Sequence, residues 1–135
     1  MAMSLEDQLI HDEDLKTKPY RCPAGKLTIG VGRNLDDNGL SEDECMILLR
    51  NDIARCKREL GFYEWYTMQP PGVREALINM CFNMGISRLR EFKKMISALQ
   101  VRKYSTAAIE ALDSAWSKQV GDRSKRVAAA IRAGI

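Results

Sequence analysis

The chain has 135 residues, of which 45% are hydrophobic and 29% charged, with a formal net charge of +3. That length bounds one domain with a buried core of its own, and the composition is that of a soluble globular protein, not a fibrous or disordered one. No run approaches the ~18 apolar residues of a membrane span.

The opening "MAMSLEDQLIHDEDL" is acidic and has no basic flank followed by an apolar core, so no signal peptide is expected and synthesis in the cytosol is the default. Ser4 is placed to cap a short helix, with Asp7 three residues on and an end near Glu13. In "KLTIGVG", Leu27, Ile29 and Val31 alternate with Thr28, Gly30 and Gly32, a strand period of two that turns Thr28 away from the apolar set, toward solvent or a cleft. The "PAG" before it reads as a turn, so residues 19–35 are expected to form a hairpin or small sheet, closed by "DDNG".

From there the pattern is helical. Ser41 and Glu44 form a capping box ahead of an apolar set at Cys45, Leu48, Leu49, Ile53, Cys56 and Leu60, with Gly61 expected in the left-handed C-terminal position. "PPGVREALINMCFNMG" opens on prolines and closes on Gly85. Its apolar residues Val73, Ala76, Leu77, Met80, Cys81 and Met84, with almost no charge after Glu75, predict a helix buried nearly all round. Shorter helices are expected through Met95, Ile96 and Leu99, then from Thr106 to Trp116, then from Arg123 to Ile131. A small hairpin followed by helices is an α+β arrangement with segregated elements.

The four cysteines are far apart, none in a C-x-x-C, and His11 is the only imidazole. Reduced thiols are expected, and neither a metal nor another cofactor. Cys45, Cys56 and Cys81 fall on apolar stripes and read as core residues. Cys22 falls on none, in a polar turn between Arg21 and Pro23. A cysteine hydrolase with Cys22 as nucleophile and His11 as base would need a third, orienting group, and the sequence offers none. Glu13, between Asp12 and Asp14, is by itself a solvated acidic cluster. Charge is uneven: residues 1–40 carry five Lys/Arg against seven Asp/Glu, and residues 117–135 five against one. The basic end fits either a solvated helix face or contact with an anionic partner.

The combined pattern is more specific than its parts. Glu13, eight residues, Cys22, five residues, Thr28 and then "IGVGRNL" resembles the phage-type lysozymes. So, in the same order, do "LTIGVG", "LSEDECMILLRNDI", "VREALINMCFNMG" and "SAWSKQVGDRSKRVAAAIRAG", covering nearly the whole chain. The resemblance implies a lysozyme-like α+β fold: one domain over residues 1–135, with a hairpin lobe at about 14–40, a helical lobe from about 41 that also takes the N-terminal helix, and an active-site cleft between them. It implies a muramidase that hydrolyses the β-1,4 bond between N-acetylmuramic acid and N-acetylglucosamine of peptidoglycan during host lysis. On the family's pattern Glu13 is the general acid and Arg123 its partner. Cys22 stands where an aspartate assists attack from the opposite face, and Thr28 where a residue holds the attacking water. Gly32, Phe82 and Asn83 fall at substrate-binding positions.

Departures are Arg33 in place of a histidine, which removes one ion pair, and Asn34, Met95 and Glu110 at cleft positions. The family's last helical tail is missing or very short. The resemblance further implies a monomer released from the host cytoplasm by a holin, without membrane insertion or nucleic-acid binding, and drawn electrostatically to the anionic envelope. The rival readings are a lytic transglycosylase, for which Cys22 would be incidental, and a wall-binding module, which has no need of the acid. A nucleic-acid-binding domain would need a basic recognition stripe beyond "DRSKRVAAAIRAG".

Overall fold

The computed structural model describes residues 2–135. The chain divides into two compact units, one reaching to Ile47 and the other spanning Leu48–Ile135.

The first unit opens with helix α1, Leu5–Glu13, whose N-cap Ser4 accepts a hydrogen bond from the Asp7 amide at 3.0 Å. Strands β1 (Lys16–Arg21), β2 (Leu27–Gly30) and β3 (Arg33–Asn34) form an antiparallel sheet in that order. Pro19 lies in β1, where the missing N–H is tolerated because the strand is an edge. Tyr20 pairs with Thr28 and Arg21 with Leu27. The turn between them closes through the Gly25 amide on the Cys22 carbonyl at 2.8 Å, and Gly25, at φ +79°, supplies the conformation it requires. "DDNG" becomes one helical turn, α2 (Leu35–Asn38), capped by Asn34 and tied to the sheet by the Asp36 carboxylate, which accepts from the Leu27 amide at 2.7 Å.

Helix α3, Glu42–Leu60, begins with the expected capping box: the Glu44 amide donates to Ser41 Oγ at 3.1 Å and the Ser41 amide to Glu44 Oε1 at 2.9 Å. Only Cys56 and Leu60 of its apolar set are buried. Cys45, expected in the core, is exposed, as are its neighbours Met46, Ile47 and Leu48. Helical spacing reports a stripe; it does not say that a neighbour covers it. Gly61 does not take positive φ. A Cβ there would lie 3.1 Å from the Lys57 carbonyl, a tight contact that a larger residue would have to relieve by a small shift.

The second unit continues with α4 (Glu64–Thr67), α5 (Pro71–Met84), α6 (Ile86–Leu89), α7 (Lys93–Gln100), α8 (Tyr104–Leu112), α9 (Ala115–Val120) and α10 (Asp122–Ala133). Helix α10 packs on α8 and α5, and α7 on α8. Between them Leu77, Met80, Leu89, Met95, Leu99 and Ile131 are fully buried, and truncating one such Leu to Ala would cost about 2–5 kcal/mol. Buried Gln69 is fully satisfied: its amide donates to the Trp65 and Leu99 carbonyls at 2.9 and 3.0 Å and accepts from Tyr104 Oη at 2.7 Å. Two expectations change here. Helix α5 buries its apolar residues as expected, but it keeps one open face at Glu75, Asn79 and Phe82, spaced four and three apart. The single helix expected from Thr106 to Trp116 is two, because Ser114 restarts the chain by accepting from the Ser117 amide at 3.1 Å and donating to the Ala111 carbonyl at 2.8 Å.

Candidate active site

Glu13 is the last residue of α1, and Asp14 turns the chain out of the helix at φ +64°. The Glu13 side chain lies against Gly32, where an added Cβ would come within 2.9 Å of Oε2. Glycine is favoured at Gly32 by its φ of +67°, and a Cβ there would also displace the Glu13 carboxylate. The two residues share a recess of about 460 Å³ with Glu6, Leu9, Ile10 and Val31. Within residues 2–47 no hydrogen bond or ion pair reaches the Glu13 carboxylate, which leaves its oxygens open to a ligand. A helix C-terminus carries partial negative charge, so an acid there costs helix stability. Glu13 sits where folding alone would not place it.

Cys22 and Thr28 are brought together at the turn end of the β1–β2 ladder. Hydrogen bonds from the Lys26 and Ala24 amides and the Thr28 hydroxyl, the Lys26 amide foremost, hold the half-buried thiol below its ordinary pKa against the opposing effect of desolvation. Of the two settings that alternation allows Thr28, solvent or a cleft, open solvent is excluded, since it is 3% exposed. Its hydroxyl donates to the Lys26 carbonyl at 2.9 Å and meets the sulfur, so both its neighbours belong to the turn. Glu13 with Gly32 and Cys22 with Thr28 lie at opposite ends of this ladder, whose register runs from Lys16 opposite Gly30 to Arg21 opposite Leu27.

Arg33 makes an ion pair of its own. Its guanidinium meets Glu44 Oε1 at 2.7 Å and also donates to the Gly39 carbonyl, and the pair holds the Glu44 carboxyl down to about 2. Asn34 is occupied as the cap of α2, accepting from the Asp37 amide at 3.0 Å.

In the second unit Arg123 is pinned by Asn79, which accepts from Nε at 2.8 Å through Oδ1 and from Nη2 at 3.2 Å through its backbone carbonyl. These two residues share a recess of about 300 Å³ with Phe82, Glu75, Ile78, Leu49 and Ile53. Phe82 and Arg123 therefore meet in one recess. Asn83 is turned elsewhere, accepting from Trp116 Nε1 at 2.8 Å. Met95, 1% exposed, and Glu110 line another recess together, with Lys93, Lys94 and Trp116. Sequence reading missed Asn79. Its signal was the spacing Glu75, Asn79, Phe82, which puts an amide on the face that carries the aromatic.

An open carboxylate at a strained helix end and a hydrogen-bonded thiol on one small sheet, joined to a helical body, are the parts of a carboxylate-driven hydrolase. The match to known proteins makes that specific: the model of the phage lysozyme family covers residues 11–132, and the chain belongs to that family. It is a glycoside hydrolase with a lysozyme-like function, directed at peptidoglycan. It is 29% identical to "Probable T4-type lysozyme 2" of Dictyostelium discoideum, over 99% of this chain and 96% of the relative. It is 27% identical to "Probable T4-type lysozyme 1" of the same organism over the same shares. Both alignments run over 164 positions, more than this chain has residues, so each relative carries segments that are absent here. A 26% identity extends over 98% of the chain, but only 28% of the partner, to the "Pre-baseplate central spike protein Gp5" of Enterobacteria phage T4.

Proposed function

We propose that the chain is a single catalytic domain that hydrolyses the β-1,4 bond between N-acetylmuramic acid and N-acetylglucosamine, with Glu13 as general acid and Cys22 as general base. The observation that carries this reading is the pairing of an open Glu13 carboxylate against Gly32 with a Cys22 thiol whose hydrogen bonds favour its ionised form. Glu13 gives its proton to the departing glycosidic oxygen as the C1–O bond breaks. A water attacks the oxocarbenium-like carbon from the other face and passes its proton to the Cys22 thiolate. Attack by water with Cys22 as base would invert the configuration. Direct attack by sulfur would require closer approach and would retain the configuration.

Thr28, whose hydroxyl lies beside the sulfur and donates to the Lys26 carbonyl, is proposed to help hold the attacking water. Arg123, held by Asn79, is the proposed partner of Glu13. Gly32 admits the substrate beside the acid, and Phe82 and Asn83 are proposed to bind the glycan. The biological setting proposed is lysis of the bacterial host after a holin opens the inner membrane, by a monomer assisted by the exposed Lys125 and Arg126 of α10 at the anionic envelope. No helix among the described residues is long and apolar enough to cross a membrane.

Analysis of the products from purified peptidoglycan tests the reaction. Hydrolysis yields reducing muramic ends; 1,6-anhydro ends would instead identify a transglycosylase and leave Cys22 without a role.

A further inference from the structure

The segment "FYEWY", residues 62–66, holds four of the nine aromatic side chains of the protein. Core packing accounts for Trp65 and Tyr66, which are buried, and in part for Tyr63, which packs against the core, but not for Phe62. Phe62 is 86% exposed, the highest value of any large apolar side chain among the described residues. The Tyr63 ring is fixed, stacked on Trp65 at a centroid distance of 5.3 Å and an interplanar angle of 27°, with the Arg90 guanidinium 5.3 Å over it. Phe62, Tyr63 and Trp65, with Glu64, Met68 and Gln100, surround a recess of about 390 Å³. Among the described residues neither the Glu64 carboxylate nor the Gln100 side-chain amide has a hydrogen-bond or ion-pair partner. None of the six belongs to the candidate active site.

From this arrangement we infer a second glycan-binding site, separate from the catalytic residues, that takes a pyranose of the polymeric substrate. The chemistry is specific to that class. A sugar ring presents C–H groups on its face and hydroxyls at its edge, so it matches an exposed aromatic face flanked by planar amide and carboxylate groups. A lipid surface would find a carboxylate in the recess, and a nucleic acid would find the same negative charge. The recess has the mixed lining of a small-molecule site: apolar walls with a few convergent polar groups. Arg90 and Trp65 hold the Tyr63 wall in place, so little ordering is required on binding.

The inference rests on the proposed peptidoglycan substrate for its biological sense. There, a second contact on the same polymer raises the local concentration of scissile bonds at the catalytic residues. The effect is confined to long or insoluble glycan, because a fragment that fills only one site gains nothing.

Binding of glycan strands freed of their peptides tests the site, followed by tryptophan fluorescence on the full chain carrying Glu13→Gln so that the ligand survives. Phe62→Ala and Gln100→Ala should each weaken binding roughly three- to tenfold, and Phe62→Trp should restore it. In the active chain, with native Glu13, Phe62→Ala should slow clearance of insoluble peptidoglycan but leave turnover of short soluble oligosaccharides unchanged. Glycan binding as tight for Phe62→Ala as for its parent overturns the site. If Phe62-dependent binding persists in the Glu13→Gln chain but the chain with native Glu13 hydrolyses no peptidoglycan, the site stands and the catalytic proposal falls.

Discussion

Glu13→Gln separates what the residue does for catalysis from what it costs the fold. Glutamine keeps the length and shape that rest on Gly32, so the recess should survive. It removes a negative charge from the last residue of α1, where Asp12 precedes it, Asp14 follows and the helix dipole presents its negative end. Both interactions are repulsive, and both act at an exposed site. Their relief should raise the unfolding midpoint by about 1–3 °C at low ionic strength for a chain of this size. Activity should fall by ~10²-fold or more, because the amide has no proton to give the leaving oxygen. Thermal unfolding followed by circular dichroism at pH 7, in parallel with turbidity clearing of permeabilised Gram-negative cells, reads both quantities. The thermal gain should shrink in high salt, which screens exposed charges beyond about 8 Å at physiological strength. Near-wild-type lysis would remove Glu13 from the mechanism. A lowered midpoint would show that the carboxylate is held by stabilising contacts and contradict the argument from the helix end.

Two further predictions concern the thiol and the ion pair. Iodoacetamide should inactivate the enzyme through Cys22, with activity rising on the alkaline side from a point below the ordinary thiol pKa; Cys22→Asp should stay active, resist alkylation and lose that rise, whereas Cys22→Ser should be poor. Exposed Cys45 should also be alkylated, so peptide mapping and a Cys45→Ser control are needed, while Cys81, pushed up to about 12 by burial and its contact with Cys56, should react slowly. The Glu44 carboxyl is held at about 2 by Arg33, so the pair contributes stability that is present above the unfolded value near 4.5 and is lost as pH falls toward 2. Thermal unfolding between pH 6 and 2.5 should show this loss, and Arg33→Met should flatten that part of the profile; an unchanged profile in the variant would remove the pair as its source.

Features set by neighbours in the chain could be read without a structure. The Ser4 cap, the Ser41–Glu44 box, the turn at Pro23–Gly25, and the proline start and Gly85 end of α5 each depend on backbone conformation or on hydrogen bonds spanning three or four residues. The Glu–Cys–Thr set was legible only through its resemblance to the phage-type lysozymes, since Glu13 by itself reads as part of a solvated acidic cluster. Ser114 carried an equally local signal that a helical reading of residues 106–116 passed over.

What only the tertiary structure decided is which surfaces are covered and which polar groups meet across long stretches of sequence. Cys45 and Cys56 share a helical stripe, yet only Cys56 is buried, because covering a stripe takes a second element that the stripe does not specify. Thr28 alternates outward along its strand but is closed off by the turn that carries Cys22. Arg123 on Asn79, Trp116 on Asn83 and Tyr104 on Gln69 join residues 44, 33 and 35 positions apart. A side chain's hydrogen-bonding capacity can be read from its residue type, but its partner is chosen by the packing of whole helices, and no spacing rule along the chain encodes that choice.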